Sequence, residues 1–192
     1  MARNITLSFE FYPPQTQEGV TKLMQTAKEL NVYNPEFFSV TFGAGGSTKE
    51  KTLATVLDLK KSGFNATPHI SCISSSKAEI KELLDKYKSN KINHLVALRG
   101  DNPSGSINFG ELNYANELVN FIKSEMGDTF KIDVGAYPEV HPESETAKQD
   151  FINFKNKVEA GADSAITQFF YNVDAYFKFV DECQKNSINI PI

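Results

Sequence analysis

The chain has 192 residues, 40% of them hydrophobic, which suits one domain with a sizeable core and argues against disorder. Its formal net charge is −4 and its 20 Lys and Arg residues are scattered, with no basic cluster to meet nucleic acid or an anionic membrane. No apolar run approaches spanning length, and "MARNITLSFEF" alternates polar with apolar residues where a secretory leader would be continuous, so a soluble cytoplasmic protein is expected.

Six segments rich in β-branched and aromatic residues follow one another: "ITLSFEF" from 5, "EFFSVTF" from 36, "NATPHISCI" from 65, "INHLVALRG" from 92, "KIDVGAYPE" from 131 and "ADSAITQFF" from 162. Between them the apolar residues fall at helical spacing, as in Val20, Leu23, Met24, Ala27 and Leu30, or Ile80, Leu83, Leu84 and Tyr87. Ser47 and Ser76 stand as N-caps, each with a glutamate three residues on, Glu50 and Glu79. Strand and helix alternating at intervals of 27 to 39 residues predict parallel βα units, in a doubly wound sheet or a (β/α) barrel. The closing "SINIPI" would begin a seventh unit, and a barrel of eight would need roughly 250 residues. No linker interrupts the series, so residues 1–192 are expected to form a single domain, C-terminally incomplete.

In a strand, side chains alternate between faces. Ile5, Leu7, Phe9 and Phe11 share one parity and should meet covering helices, leaving Glu10 on the inner face at the C-terminal end of its strand. The same reading pairs Ser39 with Thr41, Thr67 with His69, Ala97 with Arg99, Gly135 with Tyr137 and Ile166 with Gln168. It predicts a narrow layer beneath a polar one at the mouth where barrel enzymes keep their chemistry. A lone polar strand end is usually a solvated loop contact, but six at matching positions point to a site. Glu10 and His69 alone would suit the acid and base of a cofactor-free lyase. His94, at the start of its strand, is expected at the opposite face, and His141 lies in a loop. No histidine or cysteine has metal-ligand spacing, so no metal is expected, and Cys72 and Cys183 read as buried free thiols. "GAGGST" at 43–48 fails the dinucleotide pattern but suits a tight turn around a bulky ligand.

Taken together, "SFEFYPP", "SVTFGAGGS", "PHISCI", "HLVALRGD", "GAYPEVHPE" and "AITQFFYN" resemble the methylenetetrahydrofolate reductase family from about residue 5 to the last residue. The resemblance implies a (β/α)8 TIM barrel, with about six βα units in this chain, that holds FAD noncovalently. It also implies electron transfer from NADH or NADPH to flavin and then to 5,10-methylenetetrahydrofolate, giving 5-methyltetrahydrofolate in one-carbon metabolism and methionine supply. By motif, Glu10 is the general acid that helps open the folate's five-membered ring, and Asp101 tunes the flavin and touches substrate. Thr41, Phe42, Ala44, His69, Arg99, Gly100, Asp101, Tyr114 and Ala115 match cofactor positions. So do Tyr137, His141, Ser144, Asp150, Asn153 and Lys157, together with Asn156, where relatives can carry a basic residue. Gln168 matches a glutamine that contacts both folate and nicotinamide. Contacts the family draws from its seventh and eighth strands fall outside this chain, so a non-catalytic FAD-binding fragment is the alternative. Open strand edges make a homo-oligomer the expected state.

Overall fold

The structure is a computed structural model that describes residues 6–42, 49–100 and 110–192. Strand and helix alternate throughout: β1 (Ser8–Phe11), α1 (Gln17–Leu30), β2 (Phe37–Val40), α2 (Lys49–Lys61), β3 (Ala66–Ser71), α3 (Lys77–Ser89), β4 (His94–Leu98), α4 (Ala115–Met126), β5 (Lys131–Ala136), α5 (Ala147–Glu159), β6 (Ser164–Thr167) and α6 (Val173–Lys185). All six expected strands are present, trimmed at their ends, and their order in the sheet is the order in the chain. By contact density the chain divides into two units, Met1–Ile70 with Tyr87–Val96, and Ser71–Lys86 with Ala97–Ile192.

In the first unit β1 pairs parallel with β2 and β2 with β3. Phe9 and Phe11 stack on Phe38 at 6.0 and 5.5 Å, and Phe64 meets Phe38 edge-on, so the apolar parity of β1 packs as expected. Val40, Val56, Leu59 and Ala27 are fully buried on this side. Thr16 starts α1 by accepting from the Gly19 amide at 3.1 Å, which satisfies one of the amides left open at a helix start.

The register carries a correction to the layer prediction. Ser39 pairs with Thr67, but Glu10 pairs with Ser39, not with Thr41. Glu10 is therefore rooted one step lower on the inner face than Thr41 and His69. A second correction concerns β4. His94 bonds Thr67 (Nδ1 to Oγ1, 3.2 Å) and meets the ring of Phe37, so it shares their face. Farther along the strand, Leu98 is the side chain a Cβ on Gly135 would meet, at 3.7 Å. The inner set of β4 is thus His94, Val96 and Leu98, with Ala97 on the helix side, one residue out of the expected phase.

In the second unit α3 opens on the expected capping box: the Ser76 amide reaches the Glu79 carboxylate at 2.7 Å and Glu79 returns its amide to Ser76 Oγ at 3.2 Å. Leu118, Val119, Ile122 and Met126 form the buried stripe of α4. Phe151 and Phe154 of α5 pack on Phe179 of α6. β5 and β6 pair parallel with Gly135 opposite Ile166, so Tyr137 and Gln168 leave their strands level with each other, as predicted. Buried Asp133 accepts the hydroxyl of Ser164 across this pair. Beyond α6, Ser187 and Ile188 bond back to the end of the helix, and Ala165 of β6 donates to the carbonyl of Pro191 at 2.9 Å, so the expected seventh strand is represented by one ladder-like bond and not by an assigned strand.

Candidate functional site

Three strand ends of the first unit bring together Glu10, Thr41 and His69. Pairing of β1 with β2 continues through the Thr41 amide, which donates to the Phe11 carbonyl at 3.0 Å, and Thr52 of α2 donates to the Thr41 carbonyl at 2.8 Å. Thr41 is thereby fixed by its backbone, while its buried hydroxyl has no hydrogen-bond partner among the described residues. Glu10 compensates for its lower root by its length: Oε2 lies 3.4 Å from Nε2 of His69. The imidazole is 8% exposed and the carboxylate 51% exposed, so the buried base faces an acid that solvent or a ligand can reach. Partial burial of the Glu10 carboxyl raises its pKa above the usual glutamate value. Phe42 is half-buried directly after Thr41, and Ala44 lies outside the described residues.

The second unit holds a separate set. Arg99, just past β4, meets the carboxylate of Glu143 at 2.6 Å, and this guanidinium holds Glu143 below the usual carboxylate range. Gly100 has φ +88°, and a Cβ there would lie 2.1 Å from Ser71 Oγ, which donates to the Arg99 carbonyl at 2.6 Å. Asp101 lies outside the described residues. At the end of β5, Tyr137 meets His141 edge-on at 4.5 Å. Asp150 of α5 binds the loop between them, accepting from the His141 amide at 3.0 Å and from Ser144 Oγ at 3.1 Å.

Lys157, two turns farther along α5, donates to the Gly135 carbonyl and lies over the rings of Tyr137 and Phe154 at 5.8 and 5.7 Å. Burial lowers its pKa to about 8, with Asp150 pulling weakly the other way. Five predicted residues, Tyr137, His141, Ser144, Asp150 and Lys157, thus form one connected group. A cleft of about 530 Å³ opens beside them, lined by Tyr137, Val140, Asp150, Phe151, Lys178 and Phe179.

The other predicted residues are less engaged. Tyr114 is largely exposed and Ala115 begins α4, where the Glu117 carboxylate accepts from the amides of Asn113 and Tyr114 at 2.6 and 3.3 Å. Asn153 accepts from Gln149 one turn back, and Asn153, Asn156 and Gln168 are exposed. Sequence reading missed Glu143 and Ser71, partners of Arg99 and its carbonyl, and Glu139, which accepts from the amides of Tyr171 and Asn172 and ties the loop after β6 to the loop after β5. Nothing local marks them, since their partners are 28 to 44 residues away. Among the described residues no group of three His, Cys, Asp or Glu could hold a metal ion, and no helix is long and apolar enough to cross a membrane.

Comparison with known proteins gives this arrangement its relatives. The chain is 44% identical over 189 residues to a 5,10-methylenetetrahydrofolate reductase of Buchnera aphidicola subsp. Schizaphis graminum (strain Sg), covering 98% of this chain and 63% of that one. It is 43% identical to the protein of that name in Escherichia coli (strain K12), covering 98% and 62%. A protein of Arabidopsis thaliana called methylenetetrahydrofolate reductase (NADH) 1 is 39% identical, over 96% of this chain and 34% of its own length. The chain therefore spans less than two thirds of the curated relatives it matches.

Among solved structures, a Clostridium thermocellum protein described as binding two copies of 5-methyl-5,6,7,8-tetrahydrofolic acid superposes with a TM-score of 0.67 at 15% identity, over 97% of this chain and 64% of that one. A 2,3-dimethylmalate lyase gives 0.56 at 6% identity, over 91% and 61%. These likenesses bear on the fold alone, six βα units of an α/β barrel class. Since the family model described as methylenetetrahydrofolate reductase matches residues 1–192, from one end to the other, the chain belongs to the methylenetetrahydrofolate reductase family.

Proposed function

We propose that this chain carries the proton-donating and flavin-binding part of an enzyme that reduces 5,10-methylenetetrahydrofolate to 5-methyltetrahydrofolate, with NADH or NADPH as the electron source. The observation that carries the reading is Glu10: a half-exposed carboxyl with a raised pKa, at a strand end, against a buried histidine. The relatives' names supply the substrate.

The residues fit FAD as the cofactor. Thr41 offers a buried hydroxyl with no hydrogen-bond partner among the described residues. Lys157 offers a desolvated cation beside aromatic rings, whose charge an anionic group such as a pyrophosphate would stabilise. Each unit carries positions that the motifs match to FAD contacts: Thr41, Phe42 and His69 in the first, and Arg99, Gly100, Tyr114, Ala115, Tyr137, His141, Ser144, Asp150, Asn153, Asn156 and Lys157 in the second, with Ala44 and Asp101 matched as well. FAD, when bound, supplies hydride transfer between nicotinamide and folate.

Glu10 does the acid chemistry. Its carboxyl O–H gives a proton to a nitrogen of the folate's five-membered ring, the bond from that nitrogen to the bridging carbon breaks, and the carbon is left as an iminium that accepts hydride. The phenylalanines on the other face of β1 fix the strand, so the carboxyl is presented from a rigid base. Gln168 and Asp101 would orient the substrate.

The test is spectroscopic. The purified chain is expected to be yellow with FAD, not FMN, or to take up added FAD with quenching of flavin fluorescence. A colourless protein that also refuses added FAD would sink the proposal. Because the chain spans 62–63% of its bacterial relatives, binding of FAD without turnover would favour a non-catalytic flavin-binding fragment.

A further inference from the structure

A proton donor needs a proton at working pH, and a carboxyl that is half exposed loses most of the help that burial gives. Glu10 on its own is therefore poorly placed to stay protonated near neutrality. Its neighbour is informative. His69 Nε2 lies 3.4 Å from Glu10 Oε2, with the imidazole buried at 8% exposure and the carboxyl open at 51%. On the inner face of the strands beside it, β2 contributes the uncharged Ser39 and Thr41, and the other titratable group, His94 of β4, is engaged with Thr67 at 3.2 Å and the edge of Phe37. On that face the Glu10 carboxylate stands at ion-pair distance from His69.

We propose that Glu10 and His69 form a proton-storing pair, in which His69 is the positioning residue that keeps one proton available to Glu10. Two ionisable groups this close titrate as a unit, and a carboxylate beside an imidazole delays release of the shared proton to higher pH than the carboxyl alone. The pair starts as the Glu10 carboxylate beside the His69 imidazolium: the imidazolium Nε2–H bond breaks, its proton passes to the carboxylate, and the Glu10 O–H so formed gives that proton to the folate nitrogen, leaving Glu10 ionised and His69 neutral. The pair then regains a single proton from solvent through the exposed half of Glu10. Atoms and charge balance with water as the only proton source.

The role in catalysis rests on the donor function proposed for Glu10, but the pairing itself can be read without flavin or folate. The chain has three histidines, so imidazole nitrogen shifts of uniformly labelled, flavin-free protein resolve each one, and His69→Gln assigns His69 by loss of its signals. The expected result is a common midpoint for the Glu10 carboxyl carbon and the His69 nitrogens. In Glu10→Gln the His69 midpoint should fall by at least about one pH unit, since burial then acts without the carboxylate. The amide spectrum of that variant should otherwise match the parent, Glu10 being half exposed. Separate midpoints in the parent, or a His69 midpoint that moves by less than about 0.3 pH unit in Glu10→Gln, overturn the inference. A shared midpoint in a protein whose flavin cannot reduce folate leaves the pair standing and counts against the reductase reading instead.

Discussion

Replacing Lys157 with methionine, which keeps length and packing while removing the charge, should change how stability depends on pH in a defined window. In the folded protein burial lowers the Lys157 pKa from 10.5 to about 8. Below about pH 8 both folded and unfolded chains carry the proton, and the cost of burying the charge is fully present. Between about 8 and 10.5 the unfolded chain holds a proton the folded chain has lost, so this site makes stability rise with pH, by up to about 1.4 kcal/mol per unit. Across the window the gain is on the order of 3 kcal/mol. Other groups that titrate there do so in both proteins and cancel in the comparison.

Urea unfolding followed by circular dichroism at pH 7.5, 8.5, 9.5 and 10.5 measures the difference. The parent should gain on Lys157→Met steadily from the lowest pH to the highest. If the two stability profiles run parallel, Nζ is solvated in the folded state and the desolvation argument is wrong.

Glu10→Gln should still bind FAD and still be reduced by nicotinamide at a near-normal rate, while reoxidation by folate slows by roughly 10² to 10⁴, both followed by stopped-flow absorbance; equal slowing of the two halves would make the residue structural. Gly100→Ala forces a Cβ to within 2.1 Å of Ser71 Oγ at a φ of +88°, and should cost about 2 kcal/mol or more in urea unfolding, because Ser71 must abandon its bond to the Arg99 carbonyl; an unchanged midpoint would refute that close approach. Tyr87 is fully buried, which pushes its pKa up, and its hydroxyl has no hydrogen-bond partner among the described residues, so Tyr87→Phe should be neutral or stabilising by up to roughly 2 kcal/mol, and a clear loss of stability would reveal a partner.

What the sequence made legible was whatever depends on near neighbours. The capping box at Ser76 and Glu79 closes within three residues, and both groups lie where the pattern puts them. The inner parity of β1 was readable because Phe9 and Phe11 alternate cleanly with Ser8 and Glu10. In β4 the same rule failed for a physical reason: Leu95, Val96 and Ala97 are all buried, and a strand covered on both faces has no polar side to mark its phase. The level of Glu10 was hidden for another reason. Register belongs to the pairing of two strands, so no count along β1 alone could reveal that Glu10 stands beside Ser39. The Arg99–Glu143 pair joins side chains 44 positions apart, and Ala44 and Asp101 lie outside the described residues.

The penalties in this chain are not spread evenly. Thr41 buries a hydroxyl that has no hydrogen-bond partner among the described residues, at the end of β2, and Lys157 gives up hydration beneath the end of β5. Each such feature costs on the order of 1 to 3 kcal/mol. Polar groups nearer the starts of the strands are satisfied instead, Thr67 by His94 and Asp133 by Ser164. A fold selected for stability alone would relieve such strand ends first, since a valine at 41 removes the penalty without disturbing the backbone. Retaining such a group at the C-terminal end of a strand is what ligand binding there requires, because a group already satisfied by the protein has nothing to offer a ligand. Tyr87, whose unpartnered hydroxyl lies on helix α3, does not fit that pattern. For that residue the expected result of Tyr87→Phe is unchanged or increased stability with no change in flavin uptake, whereas Thr41→Val should gain stability and lose affinity.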